Sequence, residues 1–453
     1  MAEVSLGQKI FVTACAITHT TDLAARWCGA TPFLPKLFVL RYANMGGLDP
    51  VGFAQQINAA RSFHDDRWCD HWNRIADQHA RRATSMLREL AAANHSPVPD
   101  LCEPAAITEE HVAVLSELIA PGAVLFADHG PQADDKAITD LVNTHAPNGD
   151  RRHTALAFGA IDAWVKAMTY CQVSAFPGHS THRMQAYWRS RQLFEALIRA
   201  IAPAIDIRVE HLEIPASDSD KVSGWLVLPP GNDPHPAVLT TNGLEGTLQE
   251  LAVGLLRYRG AGLATFMMEM PGSYAYTEPM GPQSEAIYRR VIDHLAADTR
   301  IDPGRIAMVG VSFGGYWAAR MAANDARLAC AVACGAPTHN SFDGGALGMP
   351  EIIIAALSKT LGVTNPIKLV RALKSLSIRD RLSHIMIPLL AINGDHDTLL
   401  STQDTIDLAN EAPHATLLLY ADDDHCAMRH YRQWLDCSQE WLRRHLVDAV
   451  STT

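Results

Sequence analysis

The 453-residue chain has no excess of basic residues, because 38 Lys and Arg stand against 49 Asp and Glu, for a formal net charge of -11. Surfaces that bind nucleic acid or anionic membranes need clustered Lys and Arg, so the composition argues against both partners. A neutral or modestly polar small molecule is the partner that this charge balance favours.

Cysteine is sparse, with nine residues scattered from Cys15 to Cys437. Disulfide frameworks are normally dense and even in number, so this odd and scattered set argues against one. The pattern favours a reducing compartment, and we expect a cytoplasmic protein.

Long apolar runs are also missing from the sequence, since no stretch of about eighteen uncharged apolar residues occurs, and this argues against a membrane-spanning helix. The shorter apolar run 10–17 resembles a secretory leader only weakly, because the segment before it carries Glu3 and little basic charge. We expect a buried first helix at this position.

The spacing of apolar residues divides the chain into two parts near Pro203. Before it, apolar residues recur at helical spacing, most clearly around Trp68 and Trp72, while the segment 94–150 is less regular. The predicted helices of this part span 68–90, 109–119, 154–171 and 182–201.

After Pro203, short apolar runs alternate with helical patterns, which is typical of a mostly parallel sheet covered on both faces. The predicted strands span 207–214, 222–228, 237–241, 263–268, 305–309, 328–334, 387–392 and 415–420. We therefore predict a helical domain at 1–202 and an α/β catalytic domain at 203–453, with a helical excursion at 341–382.

Gly310-Val311-Ser312-Phe313-Gly314 lies between a predicted strand and a helix-compatible stretch. A nucleophilic serine in an α/β-hydrolase occupies a strained turn in that context, and the flanking glycines let strand and helix approach closely. The pentapeptide also occurs by chance, so Ser312 needs support from the rest of the chain.

A serine hydroxyl needs a histidine to take its proton and a carboxylate to orient that histidine, and in this fold both follow the serine on loops after later strands. Asp397 follows one such strand and His425 follows the last. Asp395 is an alternative acid, and the bases His396, His414 and His430 are less favoured because only His425 begins a loop directly after the final strand.

Asp422, Asp423 and Asp424 could also form only a solvated acidic turn before His425, and a single histidine is rarely catalytic. Three residues on strand-end loops in the order serine, acid, base are a stronger signal than each alone. We predict the catalytic triad Ser312, Asp397 and His425.

The oxyanion of the tetrahedral intermediate needs two backbone N–H donors. We expect one from Phe313, directly after the nucleophile, and one from Leu244, in the loop that follows the strand 237–241. Glu245 then projects near the oxyanion hole, where its carboxylate is suited either to bind a substrate hydroxyl or amine or to cap the following helix.

A group of acidic, histidine and cysteine side chains near Trp68 has the residue types of a metal site, but on a helix these side chains point in different directions. Its members are His64, Asp65, Asp66, Cys69, Asp70 and His71. We interpret them as a surface patch and predict no metal site.

Several segments of the second part resemble the fermentation-respiration switch protein family of α/β-hydrolases. They are Asn242 to Gly246 with Leu248-Gln249-Glu250, Glu269-Met270-Pro271-Gly272, Gly310 to Gly315, Asp397 and His425-Cys426. The resemblance covers about 154–446 and, more loosely, the helix near Trp68.

The resemblance implies an α/β-hydrolase fold with an N-terminal helical cap over the active site, a homodimer and no cofactor. Glu245 matches a family position associated with substrate placement. We also expect the excursion 341–382 to line the pocket together with His339.

The family includes enzymes that cleave a carbon-carbon bond next to a carbonyl as well as esterases, and either reaction suits the triad. An acyltransferase or lyase that uses the same site, and a regulatory homologue without activity, are the other candidates. A preserved strained serine turn argues against the last of these.

Overall fold

The computed structural model describes residues 6–92, 95–146, 150–217, 219–343 and 348–448. Up to residue 205 the described chain is helical. Its α-helices are α1 (Leu6–Thr18), α2 (Thr21–Cys28), α3 (Leu37–Gly46), α4 (Pro50–Ala59), α5 (Asp65–Ala91), α6 (Glu109–His129), α7 (Asp135–His145), α8 (Arg151–Ala175) and α9 (Thr181–Ile201).

The rest of the described chain forms an eight-stranded sheet with helices on both faces. The strands are β1 (Arg208–Pro215), β2 (Lys221–Leu228), β3 (His235–Thr241), β4 (Ala264–Met268), β5 (Ile301–Val311), β6 (Leu328–Cys334), β7 (Leu389–Gly394) and β8 (Ala415–Tyr420). The helices are α10 (Leu248–Leu255), α11 (Glu285–Ala297), α12 (Phe313–Asn324), α13 (Asn340–Asp343), α14 (Glu351–Thr360), α15 (Pro366–Ser375), α16 (Thr402–Glu411) and α17 (Tyr431–Leu446).

The strand order in this sheet is β1-β2-β4-β3-β5-β6-β7-β8, with β1 and β2 antiparallel to their neighbours and the remaining pairs parallel. This is the α/β-hydrolase fold, as the alternation of apolar runs predicts. Because the parallel strands share one direction, the loops after β3, β5, β7 and β8 gather at a single edge of the sheet.

The helical part is organised around α8, whose residues from Ala157 to Ala175 are buried on every side. A helix that is apolar all round belongs in a core, and α5, α6 and α9 surround it. The indole N–H of Trp68 donates to the Val173 carbonyl at 3.0 Å, and that of Trp164 donates to the Leu193 carbonyl at 3.1 Å. These hydrogen bonds satisfy the N–H groups of two buried indole rings.

Most predicted helices agree with the observed ones to within a few residues, but the segment 94–150 contains two helices, α6 and α7, where the sequence indicates at least one. Residues 94 and 147–149 lie outside the described residues. The predicted boundary near residue 202 falls in a short 3-10 helix, Ala202–Ile205, that connects α9 to β1. Two separately folding domains stay a prediction.

The predicted helix at 10–17 is present as part of α1, but the expectation that it is buried is wrong. Ile10 and Ile17 are 55% and 74% exposed, while Val12 and Cys15 are buried. The helix contacts α2 and α14 along one side, so a single narrow stripe is covered.

Among the described residues, α6 is the one helix long and apolar enough to cross a bilayer by length and composition. It packs against α8 and α9, and Leu115, Ile119 and Phe126 on its inner face are buried.

The helical part reaches the reactive edge of the sheet through α3, which contacts α10 and the loop after β8. The side-chain amide of Asn44 donates to the Met428 carbonyl at 2.6 Å, a bond that joins α3 to that loop. Residues early in the chain therefore cover the ends of strands that lie more than two hundred residues later.

Candidate active site

Ser312 lies in a strained turn between β5 and α12, with φ of 59° and ψ of -124°. Its N–H donates to the Cys334 carbonyl of the adjacent strand β6 at 2.7 Å. Few non-glycine residues adopt such a backbone, and proteins retain it where the surrounding structure enforces it, most often at functional sites. The predicted strand-turn-helix context of Ser312 is thus present.

Two glycines make this turn sterically possible. A β-carbon at Gly310 would lie 1.9 Å from the Gly314 carbonyl oxygen, and one at Gly314 would lie 2.4 Å from the Thr241 carbonyl oxygen. No side chain larger than hydrogen fits at either position, so the glycines allow β3, β5 and α12 to meet under Ser312.

The structure brings Ser312, His425 and Asp397 together in one chain of hydrogen-bonding contacts. The Ser312 Oγ lies 2.9 Å from the His425 Nε2, and the His425 Nδ1 lies 2.7 Å from the Asp397 Oδ2. The side chains of His425 and Asp397 are 2% and 0% exposed. Burial protects both contacts from competition with water.

Asp397 is fixed by further donors. Its Oδ1 accepts the N–H groups of Leu399 and Leu400 at 2.9 and 2.7 Å, and its Oδ2 accepts the Asn393 amide at 3.0 Å. A buried carboxylate that accepts this many hydrogen bonds is held in one orientation. Asp397 therefore presents the same oxygen to His425 throughout.

The pKa values of Asp397 and His425 are shifted in opposite directions from their usual values. Burial raises the pKa of the Asp397 carboxyl, but the neighbouring His425 ring and the hydrogen bonds from Leu400 and Asn393 outweigh it, so the pKa lies below its usual value. Burial lowers the pKa of His425, whereas the Asp397 carboxylate and the neighbouring Cys426 together raise it by more, and it lies well above that of ordinary imidazole. The pair is arranged to stabilise an imidazolium.

The alternative acid, Asp395, points elsewhere: its Oδ1 lies 2.5 Å from the Nδ1 of the exposed His396, and its side chain is 30% exposed. His430 lies against Asp423 and stacks on Tyr420. Of the candidate acids and bases, the geometry places Asp397 and His425 beside Ser312.

Asp423 and Asp424 are buried rather than solvated. The Asp423 carboxylate accepts from the N–H of Asp424 at 2.7 Å and from that of His430 at 3.2 Å. Asp424 accepts the N–H of His425 and that of Thr398, both at 2.7 Å. It therefore joins the loop that carries His425 to the loop that carries Asp397.

The loop 242–246 runs directly against the serine turn. A β-carbon at Gly243 would lie 2.6 Å from the Ser312 Cβ and 3.0 Å from the Phe313 backbone nitrogen. Phe313 is the first residue of α12, where backbone N–H groups have no partner within the helix. The two predicted oxyanion donors, Leu244 and Phe313, thus lie on adjacent segments beside Ser312.

Ser312 and His425 open into a cleft of about 640 Å³ that includes Leu244 in its wall. Most of its other side chains are apolar and come from both parts of the chain: Leu37, Phe38, Met45, Phe176, Ile353, Leu399 and Met428. Such a wall suits a largely apolar small molecule with few polar groups.

Glu245 and His339 do not belong to the described residues that line this cleft. The Glu245 carboxylate is buried and accepts the Gly178 N–H at 3.0 Å, and its other oxygen lies 3.5 Å from the His179 Nε2. It does not cap α10 either, because the N-cap of that helix is Thr247. In this structure it holds the loop between α8 and α9.

The His339 ring lies among acidic side chains instead, with its Nε2 3.0 Å from Asp407 and its Nδ1 3.2 Å from Asp404. The excursion 341–382, of which residues 344–347 lie outside the described residues, reaches the cleft through Ile353 of α14.

Arg41 is a cleft residue that sequence reasoning missed. It lies on α3 and its guanidinium forms two hydrogen bonds to Glu250, at 2.8 and 2.9 Å. Glu250 carries a sequence signal, because it belongs to the segment Leu248-Gln249-Glu250 of the family resemblance, but Arg41 is 209 residues away along the chain. No local pattern connects the two.

The family described as Esterase FrsA-like matches residues 153–447, well over half of the chain. The chain belongs to this family. The match confirms the resemblance inferred from the sequence motifs and includes the whole sheet with Ser312, Asp397 and His425. The helices α1 to α7, and Arg41 with them, lie outside it.

Curated relatives are named as hydrolases. The 2,6-dihydropseudooxynicotine hydrolase of Paenarthrobacter nicotinovorans is 27% identical over 291 residues, 63% of this chain and 77% of that protein. Hydrolase ORFZ of Pyricularia oryzae is 26% identical over 330 residues, 62% of this chain and 74% of that protein. The alpha/beta hydrolase gkaG of Penicillium citrinum is 30% identical over 190 residues, 38% of this chain and 44% of that protein.

Solved structures agree on the fold. The crystal structure of the 2,6-dihydroxy-pseudo-oxynicotine hydrolase matches with a TM-score of 0.57 and 23% identity, over 74% of this chain and 96% of that one. AbyA5 matches with a TM-score of 0.55 and 21% identity, over 71% of this chain and 92% of that one. Together with the family, these likenesses make the protein a hydrolase of the α/β type.

We predict that Gly310→Ala lowers the free energy of unfolding by about 3 kcal/mol or more, because the new methyl group would overlap the Gly314 carbonyl of a packed turn. Chemical denaturation followed by tryptophan fluorescence measures the change. The control is Gly260→Ala, where an added β-carbon meets nothing within 4 Å. A Gly310→Ala protein as stable as this control would contradict the assigned close approach.

Proposed function

We propose that the protein is a serine hydrolase in which Ser312 is the nucleophile, His425 the general base and Asp397 the acid that orients the base. The contact chain from the Ser312 Oγ through the His425 ring to the Asp397 carboxylate carries this proposal. A hydroxyl is a poor nucleophile until a base within hydrogen-bonding reach accepts its proton.

In the first half-reaction the Ser312 Oγ bonds to a substrate carbonyl carbon while its proton passes to the His425 Nε2. The carbonyl π electrons move to oxygen, and the N–H groups of Leu244 and Phe313 bind this oxyanion. When the carbonyl re-forms, the bond to the leaving group breaks with its electron pair, and His425 returns the proton to that group. An acyl-enzyme on Ser312 remains.

Water completes the reaction by the same steps. His425 takes a proton from water, the hydroxide oxygen bonds to the acyl carbon, and the intermediate expels the Ser312 oxygen, which regains the proton. The products are a carboxylic acid and the protonated leaving group. An enolate carbon and an alkoxide oxygen are both acceptable leaving groups, so one site suits ketone and ester cleavage.

We propose as substrate an apolar ketone of the aromatic or polyketide type that is cleaved at the carbon-carbon bond next to its carbonyl. The apolar walls of the cleft and the relative named 2,6-dihydropseudooxynicotine hydrolase support it. Ester hydrolysis is the second candidate, which the family description, Esterase FrsA-like, favours.

A fluorophosphonate probe is expected to label the wild-type protein at one site and to leave Ser312→Ala unlabelled, because only an activated serine attacks the phosphorus. In-gel fluorescence and mass spectrometry of the labelled peptide measure this. Circular dichroism of both proteins verifies that they are folded. A folded wild-type protein that stays unlabelled would refute the proposed function.

Asp397→Asn should lower kcat/KM on the order of 1,000-fold or more, because the amide no longer orients and stabilises the His425 imidazolium. Asp395→Asn is the matched control and should stay within about threefold of wild type, since exposed ion pairs contribute little. Steady-state kinetics with an aryl ester compares them. Equal losses in the two variants would show that the acid is wrongly assigned.

The same variants give a pH test. His425 must be neutral to accept a proton, and Asp397 raises its pKa, so the acid limb of the wild-type kcat/KM profile lies above the usual imidazole value of about 6.5. In Asp397→Asn the amide no longer raises the His425 pKa, so the acid limb of the residual activity should move to lower pH. A shift to higher pH would contradict the proposed coupling.

A matched pair of substrates separates the two candidate reactions: benzoylacetone, a β-diketone, and phenyl acetate. We expect the larger kcat/KM for the diketone, with one oxygen atom of isotopically labelled water in the carboxylic acid product. Liquid chromatography with mass spectrometry measures both. Turnover of the ester with an intact diketone would make the protein an esterase.

A further inference from the structure

Arg41 brings a positive charge to the wall of the cleft, and the proposed mechanism assigns it no task. Its Nε and Nη2 donate to the two oxygens of Glu250 at 2.9 and 2.8 Å. The side chains of Arg41 and Glu250 are 11% and 1% exposed. A bidentate pair of this kind fixes the orientation of both groups.

Glu250 in turn lies at the base of the oxyanion loop. Its Oε2 lies 3.4 Å from the Asn242 amide nitrogen, before the turn, and its Oε1 lies 3.4 Å from the Thr247 hydroxyl, after it. The carboxylate that holds Arg41 thus also touches both ends of the loop that carries Leu244.

Arg41 reaches the middle of the same loop. Its Nη2 donates to the Glu245 carbonyl at 3.0 Å, and the Tyr274 hydroxyl lies 3.4 Å from that oxygen. Glu245 has a φ of 54°, a conformation that L residues rarely adopt. The hydrogen bond from Arg41 therefore supports the carbonyl of a strained residue.

This residue is part of a tight turn, because the Gly246 N–H donates to the Gly243 carbonyl at 3.0 Å. In a trans peptide the C=O and N–H point in opposite directions, so a bond that fixes the Gly243 carbonyl also fixes the direction of the Leu244 N–H. The Leu244 donor is thus only as well ordered as the turn that contains it.

We propose that Arg41 is a positioning residue, which, held by Glu250, clamps the turn 243–246 and so keeps the Leu244 N–H directed at the oxyanion beside Ser312. The inference rests on the proposed serine-hydrolase function and deepens it. The helical part of the chain then supplies a residue on which the chemistry of the sheet part depends.

Arginine suits this task because its planar group presents several N–H donors in fixed directions, two of which engage Glu250 and one of which engages Glu245. Lysine keeps the charge but has a single nitrogen and cannot hold all three oxygens in one plane. Arg41→Lys therefore tests whether the turn needs the fixed arrangement of N–H donors or only the positive charge.

The test compares Arg41→Lys with Arg259→Lys in the full-length chain. Arg259 also forms an ion pair, with Asp128 of α6 at 2.7 Å. It lies in the short 3-10 helix Leu256–Ala261, which follows α10, away from the cleft. The readouts are kcat and KM for phenyl acetate, thermal melting, and the inhibition constant of an aryl trifluoromethyl ketone. That inhibitor forms a tetrahedral oxyanion on Ser312 and so depends on the same donors as the transition state.

In Arg41→Lys we expect kcat to fall about tenfold or more. One oxyanion donor contributes about 100-fold to kcat by stabilising the transition state, and a displaced donor loses much of that effect. KM should change little, and the inhibition constant should rise by the same factor as kcat/KM falls. Arg259→Lys should match wild type in all three. A folded Arg41→Lys protein with wild-type kcat, or with a raised KM alone, would overturn the proposal.

If Arg41→Lys does not fold, Glu250→Gln tests the same clamp, since it keeps the side-chain length and one oxygen acceptor. Glu250→Gln should lower kcat, and it should raise the inhibition constant of the trifluoromethyl ketone by the same factor as kcat/KM falls. Failure of the fluorophosphonate to label wild type would refute the serine-hydrolase function itself. Labelled wild type with unimpaired Arg41 and Glu250 variants would refute the clamp alone.

Discussion

The site depends on one steric constraint, the contact of three backbone segments beneath Ser312. Gly310 and Gly314 permit β3, β5 and α12 to touch without side chains between them, and the bond from the Ser312 N–H to the Cys334 carbonyl connects the turn to β6. The serine can adopt its strained backbone because neighbours on every side hold it there. The loops with Asp397 and His425 then need only leave the same edge of the sheet, which parallel strands ensure.

The residues of this edge were predictable because each carries a local signal. Ser312 lies between Gly310 and Gly314 in a pattern typical of a nucleophilic serine. Asp397 and His425 each follow an apolar run that forms a strand. The strand positions and most helix positions follow from the same periodicities. Between Asp395 and Asp397 the sequence leaves both open, and the structure places the Asp397 carboxylate against the His425 ring, with hydrogen bonds from Leu399, Leu400 and Asn393 that orient it.

Other features were not predictable, for a physical reason that differs in each case. Glu245 follows Leu244 directly in the sequence, yet its φ is positive and its buried carboxylate accepts a hydrogen bond from the Gly178 N–H. His339 is bound by acidic side chains of α16 instead of facing the cleft. Arg41 meets Glu250 through tertiary packing alone, so no spacing in the sequence marks it. Position along the chain indicates which loop a residue occupies, and the direction of its side chain depends on distant partners.

The walls of the cleft come mainly from α3 and from loops, whereas Ser312 and His425 lie in the loops that directly follow β5 and β8. The α3 part of the cleft wall and the residues Ser312 and His425 are therefore encoded in stretches of the gene that lie far apart. Leu37, Phe38 and Met45 present apolar side chains to the cleft and are not partners in the hydrogen bonds of the serine turn described above. A protein engineer can accordingly vary these three codons of one helix, keep Arg41 and Asn44 unchanged, and screen for new substrates.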